Sequence, residues 1–183
     1  MTRVIAGQFK GRRLKTPPGD GTRPTSDRVR ESLFASLTSV FGGLDGLRVL
    51  DLFAGSGALG IEALSRGAAH ADLVDSDRAA VRTIRANLAD LGIAAARVHP
   101  VTARRFVATE PAEPYDLIVL DPPYALATEE VTALVAVLAE SRWCAEDGLI
   151  VVERSTRDGF VWPAGVDARA KRAYGETSLW YGR

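Results

Sequence analysis

The chain is poor in the residues that build covalent or metal cross-links: its 183 residues include one cysteine, Cys144, and two histidines, His70 and His99. An internal disulfide is excluded, and neither histidine has metal-ligand spacing to other His, Cys or paired acids, so no metal is expected. Thr2 and Arg3 after Met1 open a short mixed stretch rather than the apolar run of an export signal, so the reducing cytoplasm is the expected compartment. Long hydrophobic runs are missing too. The longest, Ala133 to Ala139, falls well short of the roughly 18 residues that span a bilayer, so no membrane association is expected. Net charge is also absent, with 23 bases balancing 23 acids.

That balance hides an asymmetry. Residues 1 to 30 carry Arg3, Lys10, Arg12, Arg13, Lys15, Arg23, Arg28 and Arg30 against Asp20 and Asp27, a net charge of +6, which leaves −6 for the rest. Clustered Lys and Arg gain affinity for polyanions by releasing counterions from phosphates. Apolar residues make up 46% and charged residues 25%, the profile of a folded globular chain rather than a disordered one, and the length suits one domain with a small appendage.

The first 20 residues read as a short hairpin or arm, with Gly7 as a turn and Pro17-Pro18-Gly19 as a stop. A helix is expected from Ser26 or Asp27, with Val29, Leu33, Leu37 and Val40 or Phe41 on one apolar face and Gly42-Gly43 ending it. Short apolar strands then alternate with amphipathic helices. Strands are expected at Arg48 to Phe53, Ala71 to Asp75, Arg97 to Val101, Tyr115 to Asp121 and Leu149 to Glu153. Helices are expected at Ala58 to Arg66, Arg78 to Leu91, Ala103 to Ala108 and Glu129 to Trp143. Such βαβ units predict an α/β fold with a mostly parallel sheet covered on both faces, and Gly175 between two strand-like runs predicts a closing hairpin from Ala168 to Tyr181.

Between the first of these strands and its helix lies Asp51-Leu52-Phe53-Ala54-Gly55-Ser56-Gly57-Ala58-Leu59-Gly60. Gly55 and Gly57 let the backbone turn and approach a ligand, and Gly60 lets helix pack on strand, the pattern of a nucleotide-type site. Asp75, at the end of the next strand, is placed to accept hydrogen bonds from ribose hydroxyls. The spacing also fits a dinucleotide-binding dehydrogenase. Asp51 tilts the choice, since a carboxylate there repels a pyrophosphate and attracts the ammonium of an amino-acid moiety, which favours S-adenosylmethionine.

Asp121-Pro122-Pro123-Tyr124 follows the strand Leu117-Ile118-Val119-Leu120, at the end where open α/β sheets bind ligands. The Asp121 carboxylate and the Pro122 carbonyl can hold the two N–H groups of a nucleobase amine, and Tyr124 offers a face for stacking. The amine lone pair is delocalised into the ring, so methyl transfer to it depends more on alignment and on accepting developing positive charge than on a strong base.

These motifs, together with Val4-Ile5-Ala6-Gly7-Gln8-Phe9-Lys10-Gly11-Arg12-Arg13-Leu14 and Arg23-Pro24-Thr25-Ser26-Asp27-Arg28-Val29-Arg30-Glu31-Ser32-Leu33-Phe34, resemble the bacterial 16S ribosomal RNA guanine-N2 methyltransferase family of class I S-adenosylmethionine-dependent methyltransferases. The resemblance implies a Rossmann-like, seven-stranded sheet with an antiparallel final hairpin, an arm over residues 1–22 and a methyltransferase domain over 23–183. It implies cofactor contacts from Arg23, Thr25, Asp51, Phe53, Ala54, Gly55, Gly57, Asp75, Thr102 and Ala103, with Asp121, Pro122, Pro123 and Tyr124 as the catalytic loop. The segment Arg23 to Arg30 would close over cofactor or substrate. Lys10, Arg12, Arg13, Arg28 and Arg30 would grip RNA of the small ribosomal subunit, with the protein a monomer. Asp75 departs from the glutamate the family more often carries.

Competing readings are a DNA adenine-N6 methyltransferase, which uses the same Pro-Pro-aromatic device, and a non-catalytic RNA-binding module on the same fold. Cys144 lies beyond a helix, away from the strand-end loops, and is expected to pack rather than act as a nucleophile. Trp162, Trp180 and Tyr181 are expected in the core of the closing hairpin, and Val131, Leu134, Val135 and Leu138 on a helix's buried face.

Overall fold

The computed structural model describes residues 2–18 and 26–183. In chain order its elements are β1 (Thr2–Arg3), β2 (Arg13–Leu14), α1 (Asp27–Phe41), β3 (Arg48–Asp51), α2 (Ala58–Ser65), β4 (His70–Val74) and α3 (Arg78–Leu91). Then follow β5 (Ala96–His99), α4 (Ala103–Val107), β6 (Tyr115–Leu120), α5 (Thr128–Glu140), β7 (Cys144–Ser155), β8 (Ala168–Tyr174) and β9 (Thr177–Gly182).

Local chemistry sets the helix boundaries. The Ser26 hydroxyl accepts the Val29 N–H and the Asp77 carboxylate accepts the Ala80 N–H at 2.8 Å, so α1 and α3 each begin on a side-chain cap. On α1 the apolar stripe closes with Phe41, which packs against the core, while Val40 is 52% exposed.

Seven strands form one sheet in the order β5-β4-β3-β6-β7-β9-β8. Strands β3 to β7 run parallel, and β9 lies antiparallel to both β7 and β8, giving the expected closing hairpin. From β3 the chain winds outward through β4 and β5, then returns to the other side of β3 with β6. The order therefore reverses between β3 and β6, where open α/β sheets form their binding crevice.

Each face of the sheet carries its own core. Val49, Val119 and Val151 pack under α1, α2 and α3, while Leu50, Ile118, Leu120 and Val152 pack under α4 and α5. Strand β7 starts at Cys144, five residues earlier than its apolar run, because Tyr115 pairs with Cys144 and the register to β6 then shifts before Leu117. The exposed Glu146 and Asp147 inside it hide that extension from a hydrophobic pattern.

The arm is fastened to the body. Buried Glu62 accepts the Ile5 and Ala6 N–H groups at 2.7 and 3.0 Å, Ser65 accepts the Phe9 N–H, and Val4 and Leu14 enter the core beneath α1 to α3. Asn87, 1% exposed, accepts the Lys15 N–H and donates to both the Lys15 and Ser56 carbonyls, so it ties the arm's exit to the glycine loop.

His70 and His99 serve the interior. Both approach the Asp72 carboxylate, at 2.9 and 2.6 Å, and the Tyr115 hydroxyl donates to it at 2.7 Å. Burial would raise that carboxyl, but the His99 and Tyr115 hydrogen bonds hold it down at about 2. Burial pushes the Cys144 thiol up to about 11, which suits packing and not attack. Tyr181 is buried, and Trp162 and Trp180 pack against the second core. Among the described residues no helix is long and apolar enough to cross a membrane.

Candidate active site

Strands β3 and β6 are hydrogen-bonded neighbours with Asp51 level with Val119, and the Leu52 N–H donates to the Val119 carbonyl at 3.0 Å. The loops that leave them emerge side by side. Phe53, Ala54 and Gly55 of the first, all of Asp121 to Tyr124 of the second, and Asp75, Thr102 and Ala103 line one cleft of about 1570 Å³. This exceeds the ~300–1,000 Å³ of a usual small-molecule pocket, so it has room for a nucleotide-sized ligand and a second, base-sized one.

The glycines act as their spacing predicts. Gly57 caps α2 in the left-handed region at φ +80°, and a Cβ on Gly60 would lie 2.2 Å from Leu73 Cδ2, so any side chain at position 60 would force Leu73 to move where α2 packs on β4. Gly57 itself is buried beneath the loop rather than on the cleft wall. Asp75 is pre-aimed: its carboxylate accepts the Gly55 N–H and the Asp77 N–H, each at 2.8 Å, which fixes its rotamer and leaves further lone pairs for the cleft.

Asp51 lies one layer deeper than its sequence position promised. It is 1% exposed, it does not line the cleft, and its Oδ2 accepts the Gly60 N–H at 3.3 Å while Oδ1 has no hydrogen-bond partner among the described residues. Burial, reinforced by the negative charge of Asp121 and Asp75, pushes its carboxyl up to about 7 against the Gly60 and Phe53 hydrogen bonds. A buried acid so placed favours positive charge arriving in the cleft above it. Asp51 thus sits below the cleft wall, not in the direct contact with an ammonium expected from the sequence.

The Asp121 to Tyr124 loop is held from behind. The Pro123 carbonyl accepts the Leu126 N–H at 2.9 Å, and the Leu126 carbonyl accepts from Arg154, a buried arginine on β7 whose Nε donates to Asp158 at 2.6 Å. With the Pro123 acceptor so engaged, Pro122 is the proline whose carbonyl suits a ligand. Tyr124 is 52% exposed, its hydroxyl 3.4 Å from the Thr177 hydroxyl at the hairpin tip, and its ring remains open to stacking.

Of the expected RNA-gripping bases, Lys10, Arg12, Arg13 and Arg28 are exposed. Arg12 also donates to the Asp90 carbonyl at 3.0 Å. Arg30 corrects the expectation. It is 1% exposed and donates to the Arg3 carbonyl at 2.6 Å and to Asp27 at 2.9 Å, fastening β1 to α1, and burial lowers its pKa. Its guanidinium is thus committed to the Arg3 carbonyl and Asp27 at the cleft wall rather than standing on the exposed arm. The expected contacts of Arg23 and Thr25 lie outside the described residues.

Sequence reasoning passed over Asn87, Arg154 and Glu153. Asn87 and Arg154 are polar residues in otherwise apolar helical and strand patterns, a signal that carries no address until the tertiary contacts are seen. Glu153, 6% exposed, lines the cleft. Its signal was legible: it follows an apolar strand, as Asp51 and Asp121 do.

This arrangement defines a Rossmann-like class I methyltransferase fold, and the solved magnesium protoporphyrin IX methyltransferase of Synechocystis shares it at a TM-score of 0.66 and 18% identity, with 90% of this chain and 86% of that one covered. The Escherichia coli protein yhhF, described as a candidate methyltransferase, superposes with a TM-score of 0.84 at 38% identity over 100% of this chain and 97% of its own. Ribosomal RNA small subunit methyltransferase D of Escherichia coli is 43% identical over 157 residues, 86% of this chain and 76% of the relative. Residues 2–183 match the family described as conserved hypothetical protein 95, and the chain belongs to that family.

Proposed function

We propose that this protein transfers a methyl group from S-adenosylmethionine to the exocyclic N2 amine of a guanine in 16S ribosomal RNA. The observation that carries the reading is the meeting of the glycine loop and the Asp121 to Tyr124 loop in one cleft, at adjacent strand ends. The 43% identity to an rRNA small subunit methyltransferase supports rRNA as the substrate class.

The residues present suit S-adenosylmethionine. Asp75 is oriented by two backbone N–H groups to accept from ribose hydroxyls, and Thr102 and Ala103 form the wall beside it. Beneath the floor, the Asp51 carboxyl, raised by burial and with no partner for Oδ1 among the described residues, marks a place where positive charge is favourable. When bound, the cofactor supplies a methyl group on a sulfonium centre.

The protein's own part is positioning. Tyr124 stacks the base, and the Asp121 carboxylate and Pro122 carbonyl each accept one N–H of the amine, which turns the nitrogen's remaining lobe toward the donor. As the N–C bond forms, positive charge grows on nitrogen beside Asp121, whose carboxylate lowers the energy of that state and takes up or relays the departing proton. A paired base hides its amine, so the target lies in a loop or is flipped out. Lys10, Arg12, Arg13 and Arg28 hold phosphates near it.

The test is transfer of labelled methyl from S-adenosylmethionine to purified 16S rRNA, to small subunits and to DNA in parallel. Label in RNA is expected. Label in DNA alone would replace this reading with the adenine-N6 one, and failure to bind the cofactor calorimetrically would leave a non-catalytic RNA-binding module.

A further inference from the structure

Three neighbouring strands carry acids near their cleft-side ends, Asp121 and Glu153 two register positions beyond Asp51. Asp51 ends β3, Asp121 follows β6, and Glu153 stands near the end of β7. Leu120 pairs with Val152, so Asp121 and Glu153 occupy the next register position on strands about 4.8 Å apart. Glu153 lies two residues after Val151 and so shares its face, the α1 side, where Thr2 and Arg30 complete the cleft wall. It is 6% exposed and lines the same cleft as Asp121 to Tyr124.

Resting on the guanine reading above, we propose that Glu153 accepts the N1–H of the target guanine and thereby selects guanine over adenine. Guanine carries its N1–H donor directly beside the N2 amine. With the amine held by Asp121 and Pro122, the adjoining donor turns toward the next strand, where the longer glutamate side chain reaches it. An ionised carboxylate only accepts, and it has about four lone-pair sites, so it can serve this edge alongside other contacts. Adenine presents an acceptor at N1 beside its amine, so an adenine in the same pose sets one lone pair against another. The Asp-Pro-Pro-Tyr loop handles any planar amine. Glu153 supplies the discrimination that the loop lacks.

The experiment uses the full-length protein and an oligoribonucleotide built around the position that the protein labels in 16S rRNA, with either guanine or 2-aminopurine there. The analogue keeps the 2-amine but has an acceptor at N1. Wild type is expected to prefer guanine by at least about 100-fold in kcat/KM, since a site built to accept a substrate N–H strongly rejects an analogue without it. Glu153→Gln, whose amide can donate to the N1 lone pair, narrows the preference to within roughly tenfold, mostly through loss on guanine, with unchanged cofactor affinity as the check on folding. Glu153→Asp keeps the preference at a reduced rate. A wild-type enzyme indifferent to the two bases, or a Glu153→Gln enzyme with the full preference, overturns the assignment. No methyl transfer to the guanine oligonucleotide by wild type overturns the guanine reading itself, and the assignment with it.

Discussion

Asp51 is expected to link cofactor binding to pH. In the free protein its carboxyl titrates at about 7, because it is buried and faces the charges of Asp121 and Asp75. At pH 7 it is therefore about half protonated, and at pH 6 about nine-tenths. A cation in the cleft above favours the ionised form and draws the pKa back toward its ordinary 3.8. Binding at pH 7 then releases about half a proton, affinity rises up to about tenfold per pH unit below 7, and it levels off above 7. Calorimetry of S-adenosylmethionine binding in buffers of differing ionisation enthalpy measures the proton count. Asp51→Asn should abolish it, which separates Asp51 from His70 and His99, bound to Asp72 in the other core. The stability effect has the opposite direction. A folded pKa above the unfolded one contributes stability that is complete below pH 3.8 and is lost as pH rises through 7, so Asp51→Asn should stabilise the free protein at pH 8 by at most about 4 kcal/mol. Proton release that persists in Asp51→Asn, or cofactor affinity flat from pH 5.5 to 8 in wild type, would refute this reasoning.

Further outcomes follow from the other roles. Asp121→Ala should retain cofactor affinity while kcat falls by two or more orders of magnitude, roughly, and Asp75→Ala should chiefly weaken cofactor binding; the reverse pattern in binding and single-turnover assays would exchange the roles. Replacing Arg12 and Arg13 by alanine should lower the slope of log affinity against log salt by roughly 1.5 on 16S rRNA, as expected for two lost phosphate contacts, and an unchanged slope would remove them from the interface. Arg30→Met should instead lower the melting temperature, since it breaks the bonds to the Arg3 carbonyl and Asp27. Asn87→Ala removes three hydrogen bonds between arm, α3 and glycine loop, and should cost about 1–3 kcal/mol in denaturant titration and weaken cofactor binding through Ser56; unaltered cofactor affinity would mean that the loop holds its shape alone.

Much of this architecture is written in local sequence. Helix α3 spans Arg78 to Leu91, the range expected from the sequence, and Gly55, Gly57 and Gly60 have the turn and packing roles their spacing implies. What escaped depends on distant partners. A count of positive charge cannot reveal that the Arg30 guanidinium is enclosed by the Arg3 carbonyl and Asp27, while Arg12 and Arg13 stay outside. Nor can the motif around Asp51 show that Gly60 and the loop cover it, because that depth comes from the seating of α2 on β4. The early start of β7 rests on pairing with Tyr115 across the α5 crossover, which no window of local hydrophobicity contains. Glu153 could have been recognised as a third strand-end acid, but only the strand order shows that its neighbour is Asp121.

The central claim is that the cleft between β3 and β6 presents a guanine N2 amine to a methyl donor. Its most direct test is mass spectrometry of nucleosides from 16S rRNA incubated with the protein and isotopically labelled S-adenosylmethionine. Label in N2-methylguanosine is the expected result. Label in N6-methyladenosine or a ring-carbon methyl product, with none in N2-methylguanosine, would contradict it.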